Sequence, residues 1–169
     1  MIRAAALALT LLATAPASAQ QLFYVAEEIA TPAEFEAELG GVGAAVVSWE
    51  PTGNCAALDP IFQGFANLTH YYARAARTVT RAQAWGRSAT IVREAERPQD
   101  AREAAWRLGE AGGQAVLAMR RNGCDRAARA LALRLPMMAL DPAAGPGTAA
   151  LIEERRAYQE SVLRGGVGG

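Results

Sequence analysis

The chain has 169 residues, and its 17 basic and 17 acidic side chains give a formal net charge of zero. All of the basic residues are arginine, which excludes chemistry that needs a lysine, such as a Schiff base or a Gly-Lys-Ser/Thr phosphate loop. The single histidine, His70, excludes metal motifs built from two histidines, and the balanced charge argues against a nucleic-acid partner. We therefore expect no cofactor and no metal.

The first 19 residues have the three parts of a secretory signal peptide. Arg3 precedes an apolar run from Ala4 to Ala13, and Ala17-Ser18-Ala19 supplies the small residues of a cleavage site. The apolar run is shorter than the roughly 20 residues that a membrane-spanning helix needs. The sequence predicts cleavage after Ala19 and a soluble, periplasmic or secreted protein with no transmembrane segment after cleavage.

The rest of the chain is expected to form one helical domain, residues 20–164, with a disordered Gly-rich tail, residues 165–169. Thr31-Pro32-Ala33-Glu34 has the residue pattern of a helix start. Apolar residues then recur four and three positions apart: Phe35, Leu39, Val42, Val46 and Trp49. Gly40, Gly41 and Gly43 weaken this pattern. A short irregular or strand segment near 42–49 is therefore the alternative to a continuous helix.

Apolar and small residues recur at helical intervals through the rest of the domain as well. A long helix is predicted from Pro60 to about Glu96, because apolar and small residues recur at helical intervals as far as Ala89. Further helices are predicted over 98–121, over 125–136 and from Thr148, as N-cap, to Arg164. In the last helix Leu151, Tyr158 and Val162 are expected to face inward. The predicted fold class is all-α, a four- to five-helix up-and-down bundle with one disulfide.

The disulfide is predicted from the positions of the two cysteines. Cys55 lies in the turn before the long helix, and Cys124 lies in the turn after the next one. If these helices are antiparallel neighbours, both turns lie at the same end of the bundle. A pair of cysteines in an exported protein usually forms a disulfide, and no Cys-x-x-Cys redox motif is present.

Charge is unevenly distributed along the chain. From Gln20 to Pro60 there are seven acidic residues and no basic one, whereas residues 61–134 hold thirteen arginines and six acids. The simplest expectation is that the acidic segment docks on the basic one within a single fold. Four cationic residues would also form one stripe on the long helix, as a candidate site for an anion or an acidic partner: His70, Arg74, Arg77 and Arg81. The alternative is a solvated or internally paired face.

Three classes of function follow. The first is a non-catalytic binding protein, such as an adaptor or an inhibitor-type protein, whose partner is another protein of the cell envelope. The second is a carrier of a small anionic or lipid-like ligand between helices, which requires an apolar pocket near Phe62, Phe65 and Tyr72. The third is an enzyme in which Glu50 and Asp59 face each other in a cleft. The sequence singles out no catalytic residue.

Overall fold

A computed structural model describes residues 28–85, 88–136 and 145–164; for 80–85 and 88–94 the description covers the backbone. The predicted signal peptide, residues 1–19, and the Gly-rich tail, residues 165–169, lie outside the described residues. The fold is a helical bundle with one disulfide, as predicted, but a β-hairpin interrupts it. Its elements are α1 (Pro32–Trp49), α2 (Asp59–Ala75), β1 (Thr78–Trp85), β2 (Ser88–Ala95), α3 (Pro98–Arg121), α4 (Asp125–Arg134) and α5 (Pro146–Leu163).

Helix α1 is continuous, so the strand alternative for 42–49 is wrong. A capping box begins the helix: the Glu34 backbone N–H donates to Thr31 Oγ1 at 3.2 Å, and the Thr31 N–H donates to Glu34 Oε2 at 3.0 Å. Val42 and Trp49 are buried on the same face as Phe35. Because this face packs on the bundle, burial outweighs the low helix propensity of the three glycines.

The predicted long helix is wrong beyond Ala75. Helix α2 ends there, and an antiparallel hairpin pairs Thr78 with Ala95 at its base and Trp85 with Ser88 near its tip. The β-branched residues favour a strand over a helix: Thr78, Val79, Thr80, Thr90, Ile91 and Val92. At the root of the hairpin the Arg97 N–H donates to the Ala75 carbonyl at 3.0 Å, so α2 ends where α3 begins.

Helix α3 is the centre of the bundle, since α1, α2, α4 and α5 all contact it. The predicted bounds of α3 and α4 are confirmed to within two residues. Leu68, Leu108, Met119 and Leu131 are fully buried in the core, together with Leu151. Among the described helices, none has the length and apolar character that a membrane crossing requires.

Helix α5 starts three residues earlier than predicted, and its outer half is not buried. Gly145 is the N-cap, and Thr148 is buried inside the helix. Glu110 of α3 accepts the Gly147 N–H at 3.1 Å, which satisfies one of the free donors of the first turn. Tyr158 and Val162, predicted to face inward, are instead 37% and 40% exposed, because α5 runs past the end of α3.

Candidate functional site

Cys55 and Cys124 form the predicted disulfide. Their Cα atoms are 5.5 Å apart, and both residues lie at the end of the bundle where α2 begins and α3 ends. This pairing confirms that α2 and α3 are antiparallel neighbours. Both cysteines of the chain are thereby oxidised, so neither is a thiol nucleophile or a thiolate ligand in this structure.

The acidic N-terminal part docks on the basic middle of the chain, as expected. Among the described residues, three ion pairs connect them: Glu28 with Arg74 at 2.7 Å, Glu36 with Arg107 at 3.6 Å, and Glu50 with Arg121 at 2.6 Å. Each of the paired side chains is partly or largely exposed, so each contact stabilises the fold by at most about 1 kcal/mol.

The predicted cationic stripe is not a single helical stripe. His70 and Arg74 are exposed on α2, but Arg77 follows the end of that helix and Arg81 belongs to β1. Arg74 is already paired with Glu28. The physical reason for the difference is the hairpin, which removes the helical spacing on which the prediction depended. A role of these four residues in binding stays a prediction.

Two buried charges attach α5 to its neighbours. Glu154 accepts a hydrogen bond from Arg120 Nε at 3.0 Å, and the hydrogen bonds to Glu154 and Asp125 raise the pKa of Arg120. Burial lowers the pKa of Arg155, whose Nε donates to the Ala132 carbonyl at 2.7 Å near the end of α4. A cation suits this position because the last carbonyls of a helix carry partial negative charge. These charges attach α5 to α3 and α4.

An open groove lies between the last turn of α2, the base of β2 and the first half of α3. We call it the α2–α3 groove; its volume is about 850 Å³. Its described lining is mostly apolar, with polar residues at the rim: Tyr72, Ala76, Ala95, Pro98, Gln99, Ala101, Arg102, Glu103, Ala105 and Trp106. Such a volume falls within the range of ligand-binding clefts.

Trp106 is the most unusual side chain of the groove, because nearly half of it, 48%, is exposed. The guanidinium carbon of Arg107 lies 5.5 Å from the centre of its ring. Tyr72 forms part of the opposite wall, and burial raises the pKa of its hydroxyl. A large exposed aromatic residue beside small apolar ones is the composition typical of a protein-binding hot spot.

The groove exists because α5 covers only the second half of α3. Arg102, Trp106, Gly113 and Arg120 are spaced four, seven and seven residues apart, so they share one face of α3. On this face Gly113 contacts Gly147, and Arg120 binds Glu154. Since α5 begins beside Gly113, the described residues leave uncovered the part of the face that holds Arg102 and Trp106.

A second, smaller cavity lies between α2 and α4. This α2–α4 cavity has a volume of about 390 Å³, and its apolar lining includes Phe62, Phe65 and Leu131. His70 and Arg134 also line it, and the Arg134 guanidinium lies 5.3 Å from the centre of the Phe62 ring. The carrier hypothesis predicted a cavity close to Phe62 and Phe65. Tyr72, the third residue of that prediction, lines the α2–α3 groove instead.

The candidate carboxylates Glu50 and Asp59 occupy different elements. Glu50 ends α1 and accepts hydrogen bonds from Arg121 at 2.6 and 2.9 Å, while Asp59 begins α2. The ion pair with Arg121 connects the end of α1 to the end of α3. An enzymatic role of Glu50 and Asp59 stays a prediction. In the part of the chain that the structure describes, no cluster of three or more metal-ligating side chains is found.

Sequence reasoning missed the α2–α3 groove. Trp106 does not belong to the apolar stripe of α3, so its position in the sequence could have indicated a large exposed aromatic residue on this helix. The comparisons with protein-family models, with curated proteins and with solved structures find no match.

Proposed function

We propose that this protein is an exported, non-catalytic binding scaffold of the cell envelope. Its α2–α3 groove would dock an apolar helical segment of another polypeptide chain. The observation that carries the proposal is Trp106, which is 48% exposed in a groove whose walls are largely alanine, tyrosine and proline. Apolar surface of this kind is normally covered by a partner, because leaving it in water is unfavourable.

A helix is the form of partner that fits the groove. The groove continues the track along which α5 packs on α3. Ala101 and Ala105 line this continuation, and small side chains let another helix approach closely. Grooves of this type bind the apolar face of an amphipathic helix, with anchors three and four residues apart. The disulfide, together with the signal peptide that the sequence predicts, favours an envelope partner over a cytoplasmic one.

The proposal is tested by photo-crosslinking in the cells that make the protein. A benzophenone amino acid replaces Trp106 in one variant and Leu133 in a matched control, because Leu133 is an exposed apolar residue on α4 that is not among the lining residues of the groove. The expected result is one adduct of defined mass from position 106 and none from position 133. Adding Tyr72→Glu to the opposite wall should abolish that adduct. The same adduct pattern at both positions, or no adduct at either, contradicts the proposal.

A second function, transport of a small anionic amphiphile, has one specific observation in its favour. The α2–α4 cavity combines an apolar lining with His70 and Arg134. Calorimetry with dodecanoate, with uncharged dodecanol as the matched ligand, tests this function. Binding of dodecanoate alone, lost when Ala66→Trp fills the cavity, would support the carrier. Equal binding of both ligands, or of neither, would refute it.

A further inference from the structure

The two cysteines of the disulfide differ in their exposure to solvent. Cys55 lies in the turn between α1 and α2 and is exposed, whereas Cys124, between α3 and α4, is buried. A thiolate that breaks a disulfide has to reach the sulfur atom that it attacks. The bond is therefore open to an external thiol from the side of Cys55, while the bundle shields the side of Cys124.

Cys124 also occupies a position that suits a leaving group. It is the N-cap residue of α4, a helix of ten residues. The free backbone N–H groups at a helix N-terminus carry partial positive charge, which stabilises a thiolate. Asp125 is the acidic residue of this first turn, but its carboxylate is already paired with Arg120 at 2.5 Å. Because a sulfur that leaves readily as a thiolate speeds up exchange, this position favours attack on the other sulfur, that of Cys55.

We propose that this disulfide is a site of thiol–disulfide exchange, at which an external dithiol attacks Cys55 and releases Cys124. The first sulfur of the dithiol forms a bond to Cys55 Sγ as the bond between the two cysteines breaks, and the electron pair of the broken bond leaves with Cys124. The second sulfur of the dithiol then attacks the first and releases Cys55. The protein thereby gains two electrons and two protons, which the dithiol loses as it becomes a disulfide.

The buried thiol that results on Cys124 has hydrogen-bond acceptors within reach. The carbonyl oxygens of Gly53 and Asn122 lie 3.7 and 3.8 Å from Cys124 Sγ. A thiol is a weak hydrogen-bond donor, so either carbonyl can accept its proton in a hydrogen bond. Reduction therefore does not leave a buried polar hydrogen without an acceptor.

Other contacts between the two turns do not depend on the disulfide. Glu50 accepts a hydrogen bond from Arg121 at 2.6 Å, and a Cβ atom on Gly53 would lie only 2.7 Å from Asn122 Oδ1. Leu58, at the end of the turn that holds Cys55, is buried in the core. These contacts keep the two cysteines close to each other after reduction, so the bond can form again and the exchange is reversible.

Reduced glutathione is the probe that tests the direction of attack on the full, oxidised protein. After incubation at neutral pH, excess N-ethylmaleimide blocks every free thiol. Trypsin then places the two cysteines in different peptides, because it cuts after Arg74 and Arg121. Mass spectrometry should find glutathione on Cys55 and N-ethylmaleimide on Cys124. The expected excess over the opposite labelling is about tenfold or more, which corresponds to a barrier difference of about 1.4 kcal/mol.

The matched control is the same reaction in a concentration of urea that unfolds the protein. Unfolding removes both the burial of Cys124 and helix α4, so glutathione should then be found about equally on the two cysteines. Three results in the folded protein overturn the proposal. These are equal labelling, an excess of glutathione on Cys124, and no mixed disulfide at a glutathione concentration that opens the bond in urea.

Reversibility is tested by circular dichroism of the protein after reduction with dithiothreitol. The reduced protein should keep its helical spectrum, and oxidised glutathione should restore the bond between Cys55 and Cys124. A reduced protein that is unfolded contradicts reversible exchange. The described lining of the α2–α3 groove contains neither cysteine, so the crosslink from position 106 tests the proposed binding function separately. Either proposal can fail while the other stands.

Discussion

Gly113 of α3 lies directly against Gly147 of α5: a Cβ atom on Gly113 would be only 1.7 Å from the Gly147 carbonyl oxygen. The obstacle is backbone, not a flexible side chain, so it cannot move aside without displacing the first turn of α5. The same turn is held by Glu110, which accepts the Gly147 N–H. This contact fixes where α5 begins on α3, and therefore which part of α3 is left open as the α2–α3 groove.

Gly113→Ala should therefore lower the free energy of unfolding by about 3 kcal/mol, at the upper end of the cost of overpacking a buried site. Urea unfolding followed by circular dichroism measures the change. The matched control is Gly40→Ala, the same substitution in a helix where a Cβ would meet nothing within 4 Å. Equal effects of the two substitutions would show that the α3–α5 contact is not as close as described.

Alanine at the exposed glycines of α1 should stabilise the protein. A Cβ on Gly40, Gly41 or Gly43 meets no atom within 4 Å, and all three residues lie inside a helix with ordinary backbone angles. Each substitution should raise the free energy of unfolding by up to about 1 kcal/mol, because alanine loses less conformational entropy in a helix. Thermal and urea unfolding of the single and triple variants check this. Unchanged or lower stability would contradict the continuous helix α1.

Cys55→Ser should lower stability without abolishing the crosslink from position 106. The disulfide joins residues 69 positions apart, and the chain-entropy model assigns such a loop roughly 4 kcal/mol. Urea unfolding of the variant, and of the wild type with and without reductant, gives the difference. Cys124→Ser is the matched control, since each substitution removes the same bond. Loss of binding at unchanged stability would instead give the cysteines a role in binding.

The capping box of α1 should make stability depend on pH in the acid range. Backbone hydrogen bonds from Ala30 and Thr31 lower the pKa of Glu34 below its ordinary value of 4.5. A lowered pKa means that the folded state favours the carboxylate, so this stabilisation is present above the unfolded value and is lost as the pH falls through the folded value. Glu34→Gln should reduce the loss of stability between pH 6 and pH 3, approximate limits that span the titration of a carboxyl group.

Urea unfolding at both pH values measures the effect, with Glu103→Gln as the control for removing an exposed carboxylate outside the cap. If the two variants show the same pH dependence, the capping box does not contribute to it.

Most helices could be predicted from the sequence, because their burial follows a simple spacing rule. Phe35, Val42 and Trp49 are buried at the predicted spacing, and a proline stands at the start of α3 as predicted. The hairpin was missed because alanines and Gly86 continued the helical spacing, while the β-branched residues that oppose a helix were given too little weight. In this segment the residues at helical spacing are small and would bury little apolar surface. The preference of the β-branched residues for strands therefore determined the structure.

The candidate site could not be predicted, because it depends on the relation between two helices. Trp106 is exposed because α5 begins beside Gly113, about two turns further along α3. Likewise, Tyr158 continues the stripe of Leu151 but lies beyond the end of the helix that would bury it. Spacing shows which residues share a face, but it does not show how far the neighbouring helix extends.

The disulfide also determines what happens if the chain is cut. The segment between Cys55 and Cys124 contains α2, the hairpin and α3, so a protease that cleaves the hairpin leaves two fragments that are still covalently joined. The hydrogen bond between Arg97 and Ala75 lies below such a cut and would keep the ends of α2 and α3 together. A nicked molecule would keep its mass, apart from one added water, until a reductant separates the fragments. As long as the disulfide is intact, the two parts of the bundle therefore stay joined after a cut in the hairpin.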